Sequence, residues 1–437
     1  MPHAEHLRIA MQGGAAAGGG STANGAGSTG VDVGDQVATG SDATGGVAGP
    51  SGGSTSGGGS TDLGGGGTDA GSTGGSGAGG APIRVAMVGN FGGIAGASFV
   101  TARDSFKAWV GWVNAHGGIN GHQVQLFVAD DGNEGARDLA LVKDFVENQG
   151  VIAIVNYFGA AGGPPAVADY AAQHHVPVIG GAAFDATFYR SPALFPQTTG
   201  PENSYYASAK AMFDAGMRKV AVIFCTEGAV CKENADSFAQ QAQVVGLQIV
   251  YEAGVSLAQP DFTAECLSAK SKGADSFYPQ ADGPSVNRLA RSCSRQGYNP
   301  RYFVTAPGEN PDPVLEGSIA TVPTFPWMVQ SGSPALDEYG QAMSQYYGSV
   351  PKNSFTTAGW MTGKVLEVAA AHVSATPTSA ELLDGLWAIQ NETFGGISAA
   401  ISYVKDQPAP SANCAFFMQI ANGQWTAPQG AQLVGCK

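Results

Sequence analysis

The stretch that decides the fold runs from Trp112 to Asp131 and reads WVNAHGGINGHQVQLFVADD. Its first residues have the pattern of the end of an amphipathic helix, and its glycine-rich centre predicts a tight turn. Residues 123–129 then read as a buried strand that stops at a pair of acids. The stretch therefore predicts a helix, a turn and a strand in immediate succession.

The residues before this stretch supply the strand and the helix that must precede it. Residues 83–88 are apolar apart from Arg84, as expected for the covered centre of a parallel sheet. A glycine loop over 89–96 follows. The next helix has apolar residues at helical spacing that predict a face packed on a sheet, namely Ala102, Phe106, Trp109, Val110 and Val113. Further strands are predicted at 123–129, 151–155 and 176–179, separated by helices around 139–146 and 165–174.

The alternation of strands and helices begins again at Lys219. Such alternation is typical of a doubly wound α/β layer with a parallel sheet. Two successive series in one chain predict two lobes of similar build. In the second series the predicted strands are 219–224, 247–251, 275–278 and 301–305, and the predicted helices are 233–245, 262–272 and 284–296.

The sequence of the turn, Asn-Ala-x-Gly-Gly-Ile-Asn-Gly over 114–121, resembles that of the type I periplasmic binding proteins of ABC transporters. It is most similar to the branched-chain amino-acid (Leu/Ile/Val) branch, and the resemblance runs from about Pro82 to the C-terminus. It implies an α/β fold of two doubly wound, Rossmann-like lobes joined by a three-segment hinge. The implied crossings lie near 198–202, 323–326 and 409–413. The lobes would be 82–200 with 324–408, and 201–323 with 409–437.

Residues 1–81 have a different composition from the rest, with 28 of the 65 glycines of the chain. Because they offer few large apolar side chains, we expect a disordered tether with a mean reach on the order of 50 Å. A passive low-complexity tail is the alternative. The start of the sequence has no basic, apolar secretory signal, which counts against export. The sequence contains no apolar run of 18 residues, so it predicts no membrane-spanning helix.

Six cysteines lie in the second half of the chain, and none forms a CxxC motif. Their order suggests three disulfides, Cys225–Cys231, Cys266–Cys293 and Cys414–Cys436, although six cysteines allow 15 pairings. Six free thiols in a cytosolic protein are the alternative. Disulfides, together with the tether and the resemblance, favour an extracytoplasmic location, periplasmic or at the cell surface.

The formal net charge of −14 and the absence of a Lys/Arg cluster argue against a nucleic-acid partner. Sequence motifs of common enzymes are also missing: there is no GxSxG elbow, P-loop or HExxH, and the loop over 89–96 does not fit GxGxxG. The pair His174 and His175 precedes a strand, where surface capping is more common than metal binding. We expect no enzymatic activity, no cofactor and no metal.

Ligands of open α/β sheets bind beyond the carboxyl ends of the strands, which indicates the loops where a site is expected. Aromatic side chains there can form an apolar wall, glycine-rich N–H groups can bind an anion, and acids can pair with an ammonium group. Core packing, a tight turn or a solvated charge is the alternative for each residue. The candidate ligand-binding residues are Asn90, Phe91, Tyr157, Phe158, Gly159, Ala182, Ala183, Phe184, Asp185, Glu227, Asp282 and Glu309.

The resemblance also shows departures at the ligand. It implies a Ser after the third strand and an Ala-Ala-Thr run after the fourth, which clasp an amino acid in the branched-chain binders. Here residues 157–161 read YFGAA, and Phe184 stands where the Thr belongs. Glu309 lies close to the implied acidic partner of the ammonium group, and Trp360 either lines the cleft or packs beneath it. A ligand other than Leu, Ile or Val is expected, such as an aromatic or amide-bearing molecule.

Taken together, the sequence predicts a monomeric solute-binding protein that closes two lobes around a small molecule by a hinge motion. The resemblance implies that an ABC permease of the membrane receives the ligand. A sensor domain of the same fold is the main alternative, and an α/β enzyme is the weaker one.

Overall fold

The computed structural model describes residues 79–160, 163–198, 200–411 and 414–436. The tether predicted for 1–81 lies outside these residues except for its last three. The first of the described strands is anchored through Ala81, whose N–H donates to the carbonyl oxygen of Ala375 at 2.9 Å. The Nδ1 atom of His122 lies 2.7 Å from the carbonyl oxygen of Ala81.

The first sheet contains five parallel strands in the order β2-β1-β3-β4-β5. All of β1 except Arg84 is buried, as the apolar run predicts. The strands are β1 (Ile83–Gly89), β2 (Val124–Asp130), β3 (Ala153–Tyr157), β4 (Val178–Gly181) and β5 (Leu194–Phe195). The helices of this part are α1 (Gly93–Gly96), α2 (Val100–Ala115), α3 (Gly135–Glu147) and α4 (Gly163–His174).

The predicted turn between α2 and β2 is confirmed, and its backbone conformation explains its sequence. Gly117, Gly118 and Gly121 have φ angles of 98°, 78° and 84°, and Asn120 has a φ of 49°. These are left-handed conformations that glycine and asparagine adopt most readily. A Cβ atom on Gly118 would lie 2.1 Å from the carbonyl oxygen of His122. The turn therefore accepts little else at these positions.

The second sheet has four parallel strands in the order β7-β6-β8-β9. Each strand is followed by a helix or a loop that returns over the sheet, so the predicted second series is confirmed. The strands are β6 (Lys219–Cys225), β7 (Gln248–Val255), β8 (Ser276–Gln280) and β9 (Arg301–Tyr302). The helices are α5 (Pro201–Asp214), α6 (Ala229–Val245), α7 (Thr263–Ser271) and α8 (Gly283–Arg295).

A third sheet is antiparallel, and the sequence pattern does not predict it. Strand β11 (Ala415–Ala421) pairs with β10 (Ile319–Val322) on one side and with β12 (Gln424–Thr426) and β13 (Leu433–Val434) on the other. A single parallel bridge between Phe303 and Ile319 joins this sheet to the segment after β9.

Three further helices complete the fold: α9 (Pro334–Tyr346), α10 (Ser354–Ala369) and α11 (Ser379–Trp387). Helix α10 packs closely on α2, because two glycines let the backbones approach. A Cβ atom on Gly359 would lie 2.1 Å from the carbonyl oxygen of Ala102, and one on Gly363 would lie 2.2 Å from the Trp109 ring. The lobe division at residues 200, 323 and 408 stays a prediction.

The six cysteines form three disulfides, which pair Cys225 with Cys231, Cys266 with Cys293 and Cys414 with Cys436. The second disulfide is fully buried and joins α7 to α8. The third fastens the start of β11 to the C-terminal end of the described chain. Among the helices that the structure describes, none has the length and apolar character needed to cross a membrane.

Candidate ligand-binding site

A cavity of about 320 Å³ lies between the carboxyl ends of the first and second parallel sheets. The end of β6 and the segments after β4, β8 and β9 contribute to its wall, as do the first turns of α5, α6 and α10. The carboxyl edges of open α/β sheets are where ligands of this architecture bind. The lining residues are Ser98, Phe99, Gly181, Ala183, Phe184, Gln197, Thr198, Ser204, Tyr205, Ser208, Cys225, Val230, Cys231, Asn234, Tyr278, Gln280, Ala281, Asp282, Phe303, Thr305, Ala306, Thr321, Val322, Pro323, Ser354, Phe355 and Ala358.

One side of the cavity is a cluster of four phenyl rings. Phe99 is stacked on Phe158 with 4.8 Å between ring centroids, and on Phe184 with 6.0 Å. Phe355 meets the other three rings edge-on, at 5.1 to 5.9 Å. Phe99, Phe184 and Phe355 line the cavity, whereas Phe158 is 1% exposed and lies behind them. Such a wall suits an apolar, planar group.

The opposite side carries neutral polar groups. The amide of Gln280, at the end of β8, donates to the hydroxyl of Tyr205 on α5 at 3.4 Å. This distance is long for a hydrogen bond, so both groups keep capacity for a ligand. Ser208 and Thr321 are joined by a 2.8 Å hydrogen bond between their hydroxyls. Burial raises the pKa of Tyr205 and Tyr278 above the usual value, so both phenols stay protonated at neutral pH.

The floor of the cavity at Gly181 is held by a side chain. The buried amide of Gln197 accepts a hydrogen bond from the N–H of Gly181 at 3.0 Å and donates to its carbonyl oxygen at 2.9 Å. Gly181 has a φ of 130°, and a Cβ atom there would lie 1.9 Å from the carbonyl oxygen of Tyr157. Only glycine fits this position, because it combines a positive φ with backbone contact.

Among the described residues that line the cavity, Asp282 alone carries a formal charge. Its Oδ1 atom accepts from the N–H of Ser285 at 2.8 Å and so caps α8. The first turn of α6 faces the cavity with Val230 and Cys231, and the Cys225–Cys231 disulfide is part of the wall. The N-cap residue of α6 is Gly228, which provides no side-chain cap.

Three of the sequence-predicted residues line the cavity: Ala183, Phe184 and Asp282. Two more lie directly behind its wall. Phe158 supports the phenyl cluster, and Ala182 is 6% exposed, with its N–H donating to the carbonyl oxygen of Tyr157 at 2.8 Å. Trp360 is fully buried and packs edge-on against Tyr339, with 5.4 Å between ring centroids. It belongs to the hydrophobic core and does not line the cavity.

The structure does not bring Asn90, Phe91, Tyr157 or Gly159 to the cavity wall. A parallel bridge between Gly89 and Phe158 continues the sheet beyond β1 and β3, so this segment belongs to the sheet layer. Asn90 donates to Asn133 at 3.2 Å, and the Arg103 guanidinium lies 5.7 Å from the centroid of the Phe91 ring. These side chains are consequently occupied by packing within the first sheet.

Tyr157 and Gly159 surround a buried acid. The Tyr157 hydroxyl donates to Asp138, and a Cβ atom on Gly159 would collide with that hydroxyl. Burial raises the pKa of Asp138 to about 7, against the lowering effect of the Tyr157 hydrogen bond, and nearby Asp131 raises it further. Oδ1 of Asp138 is buried without a partner among the described residues. Gly159 and Gly163 thus lie against a carboxyl group.

The remaining three predicted acids are bound to neighbouring chain segments. Asp185 accepts from the N–H of Thr187 at 2.8 Å and caps a 3-10 turn over 186–189. Glu227 accepts from Ser256 and from the N–H of Leu257; burial acts to raise its pKa, but these hydrogen bonds outweigh burial and lower it. Glu309 accepts from the N–H of Lys352 at 3.0 Å. None of the three lines the cavity.

Sequence reasoning missed most of the aromatic and polar wall. Phe99 and Phe355 stand at the starts of α2 and α10, and Tyr205 and Ser208 lie in α5, next to the expected crossing at 198–202. Gln280 lies in the same loop as Asp282. Only a position beside a predicted strand end pointed to these residues. Which of them face the cavity depends on packing, because packing decides the direction of each side chain.

Comparison with known proteins agrees with this geometry. A profile of the family described as "Periplasmic binding protein" matches residues 82–424. The chain belongs to that family. The predicted type I periplasmic binding fold is thereby confirmed, and the family consists of solute-binding proteins, not enzymes. Family membership implies an extracytoplasmic location.

An amino acid binding protein of Pseudomonas aeruginosa is 24% identical over 220 residues, which are 50% of this chain and 57% of that protein. The chain thus matches little more than half the length of this relative. A solute-binding protein of an ABC transporter from R. palustris, solved in complex with benzoate, is 12% identical with a TM-score of 0.65; the match covers 82% of this chain and 98% of the other. A periplasmic substrate-binding protein from Ralstonia solanacearum is 17% identical, with a TM-score of 0.67 and coverages of 78% and 99%.

Proposed function

We propose that this member of the family captures a small, mostly apolar molecule with one aromatic ring and delivers it to an ABC permease. The observation that carries the proposal is the cavity between the carboxyl ends of the two parallel sheets, with the phenyl cluster on one side and neutral polar groups on the other. Its volume of about 320 Å³ lies at the lower end of the range for ligand pockets, roughly 300–1,000 Å³, which favours a one-ring ligand.

We expect the protein to close around the ligand because the two sides of the cavity wall belong to different sheets. The phenyl cluster belongs to the loops of the first sheet and to the start of α10, whereas Gln280, Asp282 and the disulfide belong to the second sheet. A ligand that contacts both sets stabilises the state in which the two sheets are close together. That closed state would be the form that a permease recognises.

The similar proteins support a small organic ligand but do not identify it. The R. palustris protein was solved with benzoate, a one-ring molecule, and the relative from P. aeruginosa is named as an amino acid binder. The phenyl cluster of this chain is better suited to a ring than to a branched aliphatic side chain, because aromatic pairs gain from ring geometry as well as from burial.

A thermal-shift screen tests the proposal, with benzoate, benzamide, phenylalanine, leucine and glucose as probes. A ligand present at 100 times its dissociation constant raises the free energy of unfolding by about 2.7 kcal/mol. We expect a shift with a ring-bearing probe and no shift with leucine or glucose. Phe184→Leu should reduce that shift, whereas Phe145→Leu, a half-buried phenylalanine on α3, should preserve it. Absence of any shift, or equal shifts in the two variants, would refute the proposal.

A further inference from the structure

None of the described residues that line the cavity has a cationic side chain, and this restricts the charge of the ligand. No Lys or Arg occurs among the described lining residues. The internal gaps at 161–162, 199 and 412–413 contain Ala, Gly, Thr and Asn, so they add none. A buried carboxylate without a partner is strongly unfavourable. A carboxylate-bearing ligand would therefore have no ion pair with the described wall.

Cations close to the wall in sequence have partners elsewhere, and Lys210 and Lys352 pair with Asp214 and Glu309. Lys232 follows Cys231 but makes ion pairs with Asp236 and Glu252. Arg288, six residues beyond Asp282 on α8, donates to the carbonyl oxygens of Leu257 and Gln259. Both side chains thus have partners outside the cavity wall.

Backbone dipoles add only partial charges to the wall. The N-termini of α8 and α10 are capped by Asp282 and Asn353. The N-termini of α5 and α6 have no side-chain cap, and each carries about half a positive charge. Partial charges of this size do not replace the full positive charge of a Lys or Arg side chain. A ligand carboxylate thus meets Asp282 and partial charges, but no cationic side chain among the described lining residues.

The polar groups with free capacity are neutral. Tyr205 is 6% exposed, and its hydroxyl proton has no acceptor among the described residues. The carbonyl oxygen of the Gln280 amide has no donor there either. One hydroxyl donor beside one amide, which can both donate and accept, complements a ligand amide or hydroxyl.

We infer that the ligand is uncharged at neutral pH and presents an amide or hydroxyl group to Tyr205 and Gln280 while its ring lies against the phenyl cluster. This inference rests on the proposed function and narrows its substrate class. It separates the ligand of this chain from amino acids, which are zwitterions, and from aromatic carboxylates, which are anions.

Calorimetric titration with four probes that share a phenyl ring tests the inference: benzamide, benzoate, benzylamine and phenylalanine. At neutral pH they are neutral, anionic, cationic and zwitterionic, respectively. We expect benzamide to bind at least about tenfold more tightly than each charged probe. A charged probe that binds most tightly overturns the inference but leaves solute binding intact. Absence of binding by all four overturns both this inference and the one-ring proposal.

Substitution at Asp282 provides a second readout. Asp282→Asn keeps a good N-cap residue and removes the charge. The preference for benzamide over benzoate should fall by about tenfold as the like charge disappears. Asp185→Asn is the matched control, since Asp185 also caps a helical turn but does not line the cavity. An unchanged preference in Asp282→Asn, or an equal fall in both variants, contradicts the inference.

Discussion

The hydroxyl of Thr198 donates a 2.8 Å hydrogen bond to the carbonyl oxygen of Pro323. The two residues are 125 positions apart, and both line the cavity. They also lie at two of the three proposed crossings between lobes. A second hydrogen bond, from the Tyr189 hydroxyl to the carbonyl oxygen of Thr198 at 3.1 Å, fixes the same segment to the first sheet.

Thr198→Val should destabilise the fold and weaken ligand binding. The half-buried carbonyl oxygen of Pro323 would lose its donor, at a cost of about 1 kcal/mol in the free energy of unfolding. Thr426→Val is the control, because it removes a comparable bond to Gln419 in the third sheet. Urea denaturation and benzamide titration measure the two effects. Equal losses of affinity in both variants would rule out a special role of the proposed hinge.

Removing the disulfide in the cavity wall should weaken ligand binding as well as lower stability. The Cys225–Cys231 loop is six residues long, so its contribution to the free energy of unfolding is about 2 kcal/mol. The 27-residue Cys266–Cys293 loop contributes about 3.5 kcal/mol and lies away from the cavity. We expect the Cys225→Ser, Cys231→Ser variant to lose about tenfold in benzamide affinity, or roughly 1.4 kcal/mol.

The matched variant, Cys266→Ser with Cys293→Ser, should lose more stability and keep its affinity. Denaturation and titration of both variants under the same conditions compare the two. If the variant that loses more stability also loses more affinity, the cavity disulfide has only a structural role.

Asp138 should make the protein less stable as the pH rises towards neutrality. Burial raises the pKa of Asp138 to about 7 in the folded chain, whereas an unfolded aspartate titrates near pH 4. The folded state therefore holds an extra proton between these values, and the free energy of unfolding falls with rising pH by up to about 1.4 kcal/mol per unit. Below about pH 4 this stabilisation is complete, and above about pH 7 it is lost.

Asp138→Asn should flatten this dependence, because an amide still accepts from Tyr157 and never ionises. Denaturation between pH 4 and 8 measures how the free energy of unfolding depends on pH. Asp144→Asn, at an exposed position of the same helix, should leave the slope unchanged. A variant of Asp138 with the wild-type slope would show that another group controls it.

Phe158→Leu should weaken binding although Phe158 does not line the cavity. The substitution removes the ring on which Phe99 is stacked at 4.8 Å and leaves Phe355 without one of its edge contacts. Phe106→Leu, in the core beside Trp109, is the control of similar burial. Calorimetry should show a fall in benzamide affinity for the first variant only. Equal affinities would mean that the cluster does not order the wall.

Much of the fold follows from local pattern. The apolar runs at 83–88 and 219–224 are interior strands of their sheets, because a strand covered on both faces needs apolar residues. The turn at 117–121 is specified by its glycines. The third sheet was not predicted, since its strands β12 and β13 have only three and two residues and depend on pairing with β11.

The candidate site was predictable as a set of loops but not as a set of side chains. Strand ends identify the loops that contain Phe184 and Asp282. They do not reveal that the sheet continues past Gly89 and turns Phe91 into core, or how α5 is rotated so that Tyr205 faces the cavity. Both depend on contacts between distant parts of the chain.

The two glycines where α10 touches α2 have a consequence for which molecules fit. Phe355 and Ala358 project from the same helix as Gly359 and Gly363, so the helix moves as one rod with its cavity-lining residues. The close approach that these two glycines permit thus helps set the width of the cavity, because it fixes where Phe355 and Ala358 stand. Variation at these positions would be a route to new specificity that leaves every ligand contact chemically unaltered.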